Sequence, residues 1–258
     1  MRRAVLAAAL LAVAACSTKH VTLGGQIKTR PTAEENYATG VDLAKKQSWP
    51  EAQQFFEYVK TKFPFSKEAA LADLRIADLK FSQHLWAEAV EAYGKFVQMH
   101  PSHEEVDYAE FRMAESFFRD APGEFVLFPP AHEKDQRQME RAAAALAGFL
   151  EKHPSSKHAP EAKKLLGEAN ARLARREWYV AEFYFKRKRW AGAAGRYEVL
   201  VDKYPGSANE VEALMKLAQA AVQLDEKHRA RTALQKLIVR HPQDPRRGEA
   251  EKLLAALR

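Results

Sequence analysis

The 258-residue sequence predicts an all-α fold, and three observations carry that prediction. Ala, Leu, Glu, Lys and Arg, all good helix formers, dominate the composition. Gly and Pro number 11 and 12, which excludes a collagen-like or low-complexity chain. Most informative is a pattern that recurs five times. Ala52, Ala89, Ala142, Ala193 and Ala230 are followed four residues on by Phe56, Tyr93, Leu146, Tyr197 and Leu234. Seven residues on stand Val59, Phe96, Phe149, Leu200 and Leu237, and twelve on stand Pro64, Pro101, Pro154, Pro205 and Pro242. The +4, +7 spacing draws one apolar stripe along a helix, and the proline closes it. These offsets are the second half of the tetratricopeptide pattern. Its first half wants a small residue twelve before each alanine, where two helices cross. Gly40, Ala77, Ala181 and Ala218 supply it, and the third unit has Pro130 there. The expected architecture is a right-handed superhelix of about five helix pairs with a C-terminal capping helix.

Taken in order, residues 1–15 read as a signal peptide. Arg2 and Arg3 precede an apolar run ending at Ala15, about 18 Å as a helix, too short for a hydrocarbon core of about 30 Å. Val13-Ala14-Ala15-Cys16 resembles the lipobox of bacterial lipoproteins, so the chain's single cysteine is expected to carry a covalent lipid. Ser17 follows, with no aspartate of the kind that retains lipoproteins at the inner membrane, and similarity to sorted lipoproteins implies the outer membrane. Residues 16–31 form a tether reaching at most about 50 Å. Residues 32–155 hold repeats 1–3 and residues 156–258 hold repeats 4–5. Thr32-Ala33-Glu34-Glu35 opens the first unit as a capping box. Trp49, Trp86 and Trp190 open second helices as wedges between layers. The alanines are spaced 37, 53, 51 and 37 residues apart, so two units are stretched. In the third, an insertion over about 120–138 separates a helix around Tyr108–Phe118 from its partner. In the fourth, Pro160 to about Lys188 lacks a breaker and reads as one long helix. Pro245–Leu257 forms the cap.

Chemistry is sparse. His100, His153 and His241 share one repeat position with Phe63 and Tyr204, which marks them as structural, and the remaining histidines lack metal-ligand spacing. With no reactive thiol, phosphate loop or nucleophile elbow, the chain reads as a binding scaffold, not an enzyme, with no cofactor beyond the lipid on Cys16. Three features rise above the repeats. Phe125-Val126-Leu127-Phe128 is apolar inside an insertion, which fits a contact with a partner or a segment folded back on the solenoid. Arg196 stands where other units have Phe55, Ala92, Ala145 and Ala233, which fits a partner's carboxylate or a snorkelling arginine. Third, charge is uneven: residues 172–258 carry 19 basic and 11 acidic side chains, within an overall +7, including Arg187 and Arg189. In an exported chain this argues for an acidic protein surface as partner, not nucleic acid.

The lipobox, the five repeats with inserts in the third and fourth, His100-Pro101-Ser102-His103 with Asp107-Tyr108, and Tyr179-Val180-Ala181-Glu182-Phe183-Tyr184 before Trp190 together resemble the BamD (ComL) family. These are lipoproteins of the outer-membrane β-barrel assembly (BAM) machine. The resemblance implies a non-enzymatic role at the periplasmic face of the outer membrane. The amino-terminal repeats would take unfolded β-barrel segments, for which Tyr37, Phe55, Tyr58 and Phe81 are the groove candidates. The carboxy-terminal repeats would dock BamA, alongside other BAM subunits, with Arg196, Arg187 and Arg189 as docking candidates and Phe125 and Phe128 as contacts of the insertion. The competing expectation is a pilotin-type tetratricopeptide lipoprotein serving a secretin or pilus. A cell-wall enzyme is a third class, for which five repeats and a cap leave no residues.

Overall fold

The structure is a computed structural model that describes residues 27–123 and 134–257. Cys16, the signal peptide, most of the tether, Phe125, Phe128 and Pro130 lie outside the described residues. Eleven helices and no strand occur among the described residues: α1 (Ala33–Lys45), α2 (Trp49–Lys62), α3 (Lys67–Ser82), α4 (Trp86–Met99), α5 (Val106–Asp120), α6 (Arg137–Lys152), α7 (Ala159–Lys186), α8 (Trp190–Lys203), α9 (Glu210–Gln223), α10 (Lys227–Arg240) and α11 (Arg247–Ala256). Each packs on its neighbours in chain order, so the molecule is an all-α tetratricopeptide array.

The stripe read from the sequence is the core. All five alanines, the five residues four positions on and the five residues seven positions on are at most 3% exposed. Each second helix has its C-cap on the residue before the repeat proline, and these caps, Phe63, His100, His153, Tyr204 and His241, share one backbone geometry, φ between −129° and −126° and ψ between 51° and 59°. Five identical terminations explain why aromatic and imidazole rings interchange there. Helix pairs in units 1, 2, 4 and 5 are joined through Gln47, His84, Lys188 and Asp225, all with φ between 55° and 60°. Each stands five residues before its alanine. Thr32 caps α1 by accepting from the Glu35 amide, with Glu35 reaching back to the Thr32 N–H at 3.3 Å. At Gly40 a Cβ would lie 2.7 Å from Phe56 Cε1, so the crossing of α1 and α2 requires glycine.

Two units depart from the regular pattern. Counting back from Ala142 places Pro130 at the small-residue position, but counting forward from Pro101 gives Ala114, which is fully buried in α5. The extra residues enter after this crossing, between α5 and α6, so Ala114 takes the role expected at position 130. The base of that insertion is held to α7: Arg172 donates to the Pro122 carbonyl and Arg176 Nη1 to the Lys134 carbonyl at 2.8 Å, while Lys134 Nζ donates to the Gly123 carbonyl at 2.9 Å. In the fourth unit α7 runs 28 residues. Its first half contributes Ala162, Leu165, Ala169 and Leu173 to the cores around α5 and α6, and Ala181 belongs to the C-terminal core. The cap is α11, which buries Ala250 against the α9–α10 pair.

Candidate functional site

Polar chemistry concentrates where the first helices of successive units meet. Asp78, one residue after Ala77 in α3, accepts from the Tyr93 hydroxyl at 2.6 Å and the Tyr108 hydroxyl at 2.9 Å, and pairs with Arg75. Arg75 Nε donates to the Tyr37 hydroxyl at 3.1 Å. Arg112 of α5 lies 3.5 Å over the Phe81 ring and pairs with Glu115 at 2.8 Å. One chain of contacts therefore links α1, α3, α4 and α5. Burial, then the Asp78 carboxylate, pushes the Tyr108 hydroxyl up to about 12 and raises that of Tyr93 further. For Arg75 burial works against the charge, but Asp78 and Tyr37 outweigh it and raise its pKa. Both hydroxyls and the guanidinium are thus locked in their hydrogen-bonding forms. Beside this network Tyr37, Val41, Trp49, Phe56, Arg75 and Asp78 line a solvent-open cavity of about 520 Å³.

The same arrangement recurs 104 residues on. Glu182 follows Ala181 as Asp78 follows Ala77, and it accepts from the Tyr197 hydroxyl and from Lys216 Nζ, each at 2.5 Å. Lys216 matches Arg112, and it lies 5.4 Å from the centroid of Phe185, which matches Phe81. Burial alone would raise the Glu182 pKa, but the hydrogen bonds from Lys216 and Tyr197 lower it below the usual glutamate value. A proton lost more readily in the folded than the unfolded state stabilises the fold above the unfolded value, about 4.3 for glutamate, and that gain disappears as pH falls through the folded value. The difference in melting temperature between the wild type and Glu182→Gln is therefore expected to be largest near neutrality and to shrink as pH falls below about 4.3 in a pH series of thermal melts.

The docking candidates sit on unit 4. Arg196 of α8 is 47% exposed and its Nη1 reaches Glu177 of α7, 3.1 Å from Oε2. The repeat explains this pair. In units 1 to 4, sixteen residues before the alanine or at the matching place in α5, stand Asn36, Asp73, Glu110 and Glu177. Asp73 and Glu110 meet the helix-terminal histidines His100 and His153, at 3.1 Å and 2.6 Å. In unit 4 that terminal residue is Tyr204, which brings no ring nitrogen to the acid, and Arg196 meets the acid in its place. The carboxylate beside Arg196 in this chain is its own Glu177. Arg187 stacks on the exposed Phe183 ring, 3.6 Å from its centroid, and Arg189 N-caps α8. The four groove candidates do not share one surface. Tyr37 lines the cavity and Phe81 lies beneath Arg112, whereas Phe55 is 6% exposed and Tyr58 packs edge-on against Phe63 on α2. Asp78, Arg75 and Arg112 are the residues the sequence reading missed. The available signal was a tyrosine four after the alanine only in the two units, 2 and 4, whose acid lies fifteen residues before it. Among the described residues no cluster of His, Cys, Asp or Glu is arranged to hold a metal ion, and no helix is long and apolar enough to cross a membrane.

An extended helical-repeat scaffold with paired polar clusters along its first helices is the class of protein that this fold and site define. Residues 30–251 match the YfiO family, described as an outer membrane lipoprotein, and the chain belongs to that family. Its relatives include proteins called outer membrane protein assembly factor BamD. That of Caulobacter vibrioides is 27% identical, over 84% of this chain and 68% of the relative. That of Xylella fastidiosa strain 9a5c is 28% identical over 87% and 78%, and that of Neisseria meningitidis serogroup B is 25% identical over 95% and 93%. Among solved structures, the TPR2AB domain of yeast Sti1 in its complex with pHSP90 aligns at 14% identity and a TM-score of 0.42, covering 87% of this chain and 86% of that one.

Proposed function

We propose that this chain is a lipid-anchored, non-enzymatic scaffold that assists assembly of β-barrel proteins at the periplasmic face of the outer membrane. The observation that carries this reading is membership of the YfiO family together with relatives named as outer membrane protein assembly factors along most of the chain. In it, Cys16 carries the lipid and residues 16–31 are the tether. Repeats 1–3 hold unfolded β-barrel segments on the face of the first helices, where the cavity beside Tyr37 and Arg75 offers aromatic surface and a cation together. Repeats 4–5 dock BamA. The excess of basic over acidic side chains in residues 172–258 supports this division, because it matches an acidic partner surface. No nucleotide or metal is needed, since holding a strand near an insertase acts through local concentration.

Pulldown of the detergent-solubilised protein tests the reading. Recovery of BamA is the expected result, and recovery of a secretin without BamA would replace it with the pilotin reading. In the same assay Arg196→Glu is expected to weaken BamA recovery at least about tenfold, the usual cost of reversing one charge in a docked pair. Helical content is expected to persist, since Arg196 is half exposed. Undiminished recovery removes Arg196 from the interface and leaves it as the counter-charge of Glu177.

A further inference from the structure

The position after the repeat proline is small or polar in four units: Ser102, Ser155, Gly206 and Gln243. In the first it is Phe65, whose relative exposure of 101% is the highest of any large apolar side chain among the described residues. Nothing in the helix packing calls for it. The turn closes through the Ser66 N–H to the Phe63 carbonyl at 3.0 Å, and Ser66 caps α3 by accepting from the Ala69 amide. Lys62 and Lys67 flank the phenylalanine and are exposed. The Lys67 side chain is 84% exposed, with its Nζ 3.8 Å from Glu68.

Topology places this turn at a particular edge. Helix α1 runs away from its N-terminus, α2 returns, and α3 starts from the same edge, so the 63–66 turn lies beside the start of α1. That is where the tether arrives. Asn36, fully buried, receives the Arg30 N–H at 2.9 Å and donates to the Arg30 and Thr32 carbonyls, fixing the end of the tether against the first turn of α1. Lys28 and Arg30, both exposed, add two more cations at this edge. The acidic side chains at this edge are Glu34 and Glu35 in the first turn of α1, of which Glu35 is engaged by Thr32, and Glu68, which stands beside Lys67.

We propose that the Lys62–Lys67 turn is a lipid-contact element, in which Phe65 enters the interfacial region of an anionic bilayer while Lys62 and Lys67 meet its headgroups. A lone exposed aromatic ring flanked by cations is the chemistry that recognises such an interface. The inference rests on the reading that Cys16 carries a lipid, because an acyl chain within about 50 Å of tether keeps this edge near the bilayer. A second weak contact adjoining the anchor then fixes the orientation of the whole array. The helix edge carrying the tether faces the membrane, and the later repeats extend from it.

The full acylated chain tests this, because acylation of Cys16 leaves Phe65→Cys as the one free thiol. An environment-sensitive fluorophore on that thiol is read in vesicles of phosphatidylglycerol and phosphatidylcholine containing a brominated lipid. The comparison is the same fluorophore at Val239→Cys, a position 76% exposed in the last unit. Quenching at position 65 is expected to exceed that at 239 by about threefold or more and to fall when Lys62→Glu and Lys67→Glu are added. Equal quenching at both positions overturns the proposal. So does quenching at 65 that depends on an added unfolded β-barrel segment, which makes the turn a protein-docking point. The mass of the purified chain reports acylation separately. A chain without the lipid overturns the anchor reading, and flotation with the same anionic vesicles, reduced or unreduced by Phe65→Ser, then decides the turn.

Discussion

Replacing Asp78 with leucine is expected to lower the melting temperature by about 8 °C, the consequence of losing about 3 kcal/mol when the acceptor of a partly buried network is removed and the buried Tyr93 hydroxyl is left unpaired. The Tyr93 hydroxyl and the Arg75 guanidinium both direct hydrogen bonds at this carboxylate; Tyr93 is fully buried and finds no water when the acid goes, while Arg75, at the edge of the cavity, keeps only partial access to it. The penalty is one of orphaned groups and not of lost volume. The triple variant Asp78→Leu, Arg75→Met, Tyr93→Phe is accordingly expected to recover most of the loss in a thermal melt. If the triple variant melts as low as the single one, the network is not what the site depends on.

The second large effect is expected at Glu210. This side chain is 2% exposed at the start of α9. Its Oε1 accepts from Arg240 Nη1 at 2.8 Å, and its Oε2 accepts from the Gly206 amide at 2.6 Å and lies 3.1 Å from His241 Nε2. It thereby ties the α8–α9 turn to the end of α10. Glu210→Ala is expected to cost about 3 kcal/mol, again as unpaired donors beside a buried site. In a linear array the loss stays local, since each unit contacts only its neighbours. Amide exchange is therefore expected to accelerate across α9, α10 and α11 while α2 to α4 keep their protection. Uniform acceleration along the chain would show that the array unfolds as one unit.

The repeats were legible because helical periodicity writes a buried stripe directly into residue type. Ala52, Phe56 and Val59 and their equivalents needed no partner to be recognised as core. Terminations were legible for a similar reason, since the residue before each proline is sterically committed. Polar contacts were less so. Asp78 and Tyr93 lie fifteen residues apart on different helices, and their meeting follows from the crossing at Ala77, not from either residue's own character. Arg196 was visible as an anomaly of the pattern, but its carboxylate, Glu177, stands nineteen residues back on α7 and becomes apparent only by comparing what each unit sets opposite its terminal ring. In the third unit the insertion lies between the crossing residue and Ala142, so a fixed spacing back from Ala142 lands on Pro130 instead of Ala114. The left-handed turns at Gln47, His84, Lys188 and Asp225 escaped because none is the Gly or Asn that usually announces that geometry.

The extra length of α7 has a geometric meaning. The fourth unit exceeds the 37-residue spacing by fourteen residues, and fourteen residues at about 100° each come within about 40° of four full turns. The second half of the helix therefore offers nearly the same azimuth as the first, displaced along the axis by about 21 Å. Twelve or sixteen added residues would have swung the following units by about 120° or about 160°. The inserted length behaves as a spacer in phase with the helix. It separates the two halves of the scaffold while keeping Asp78 and Glu182, the two acids of the duplicated cluster, on corresponding helix faces.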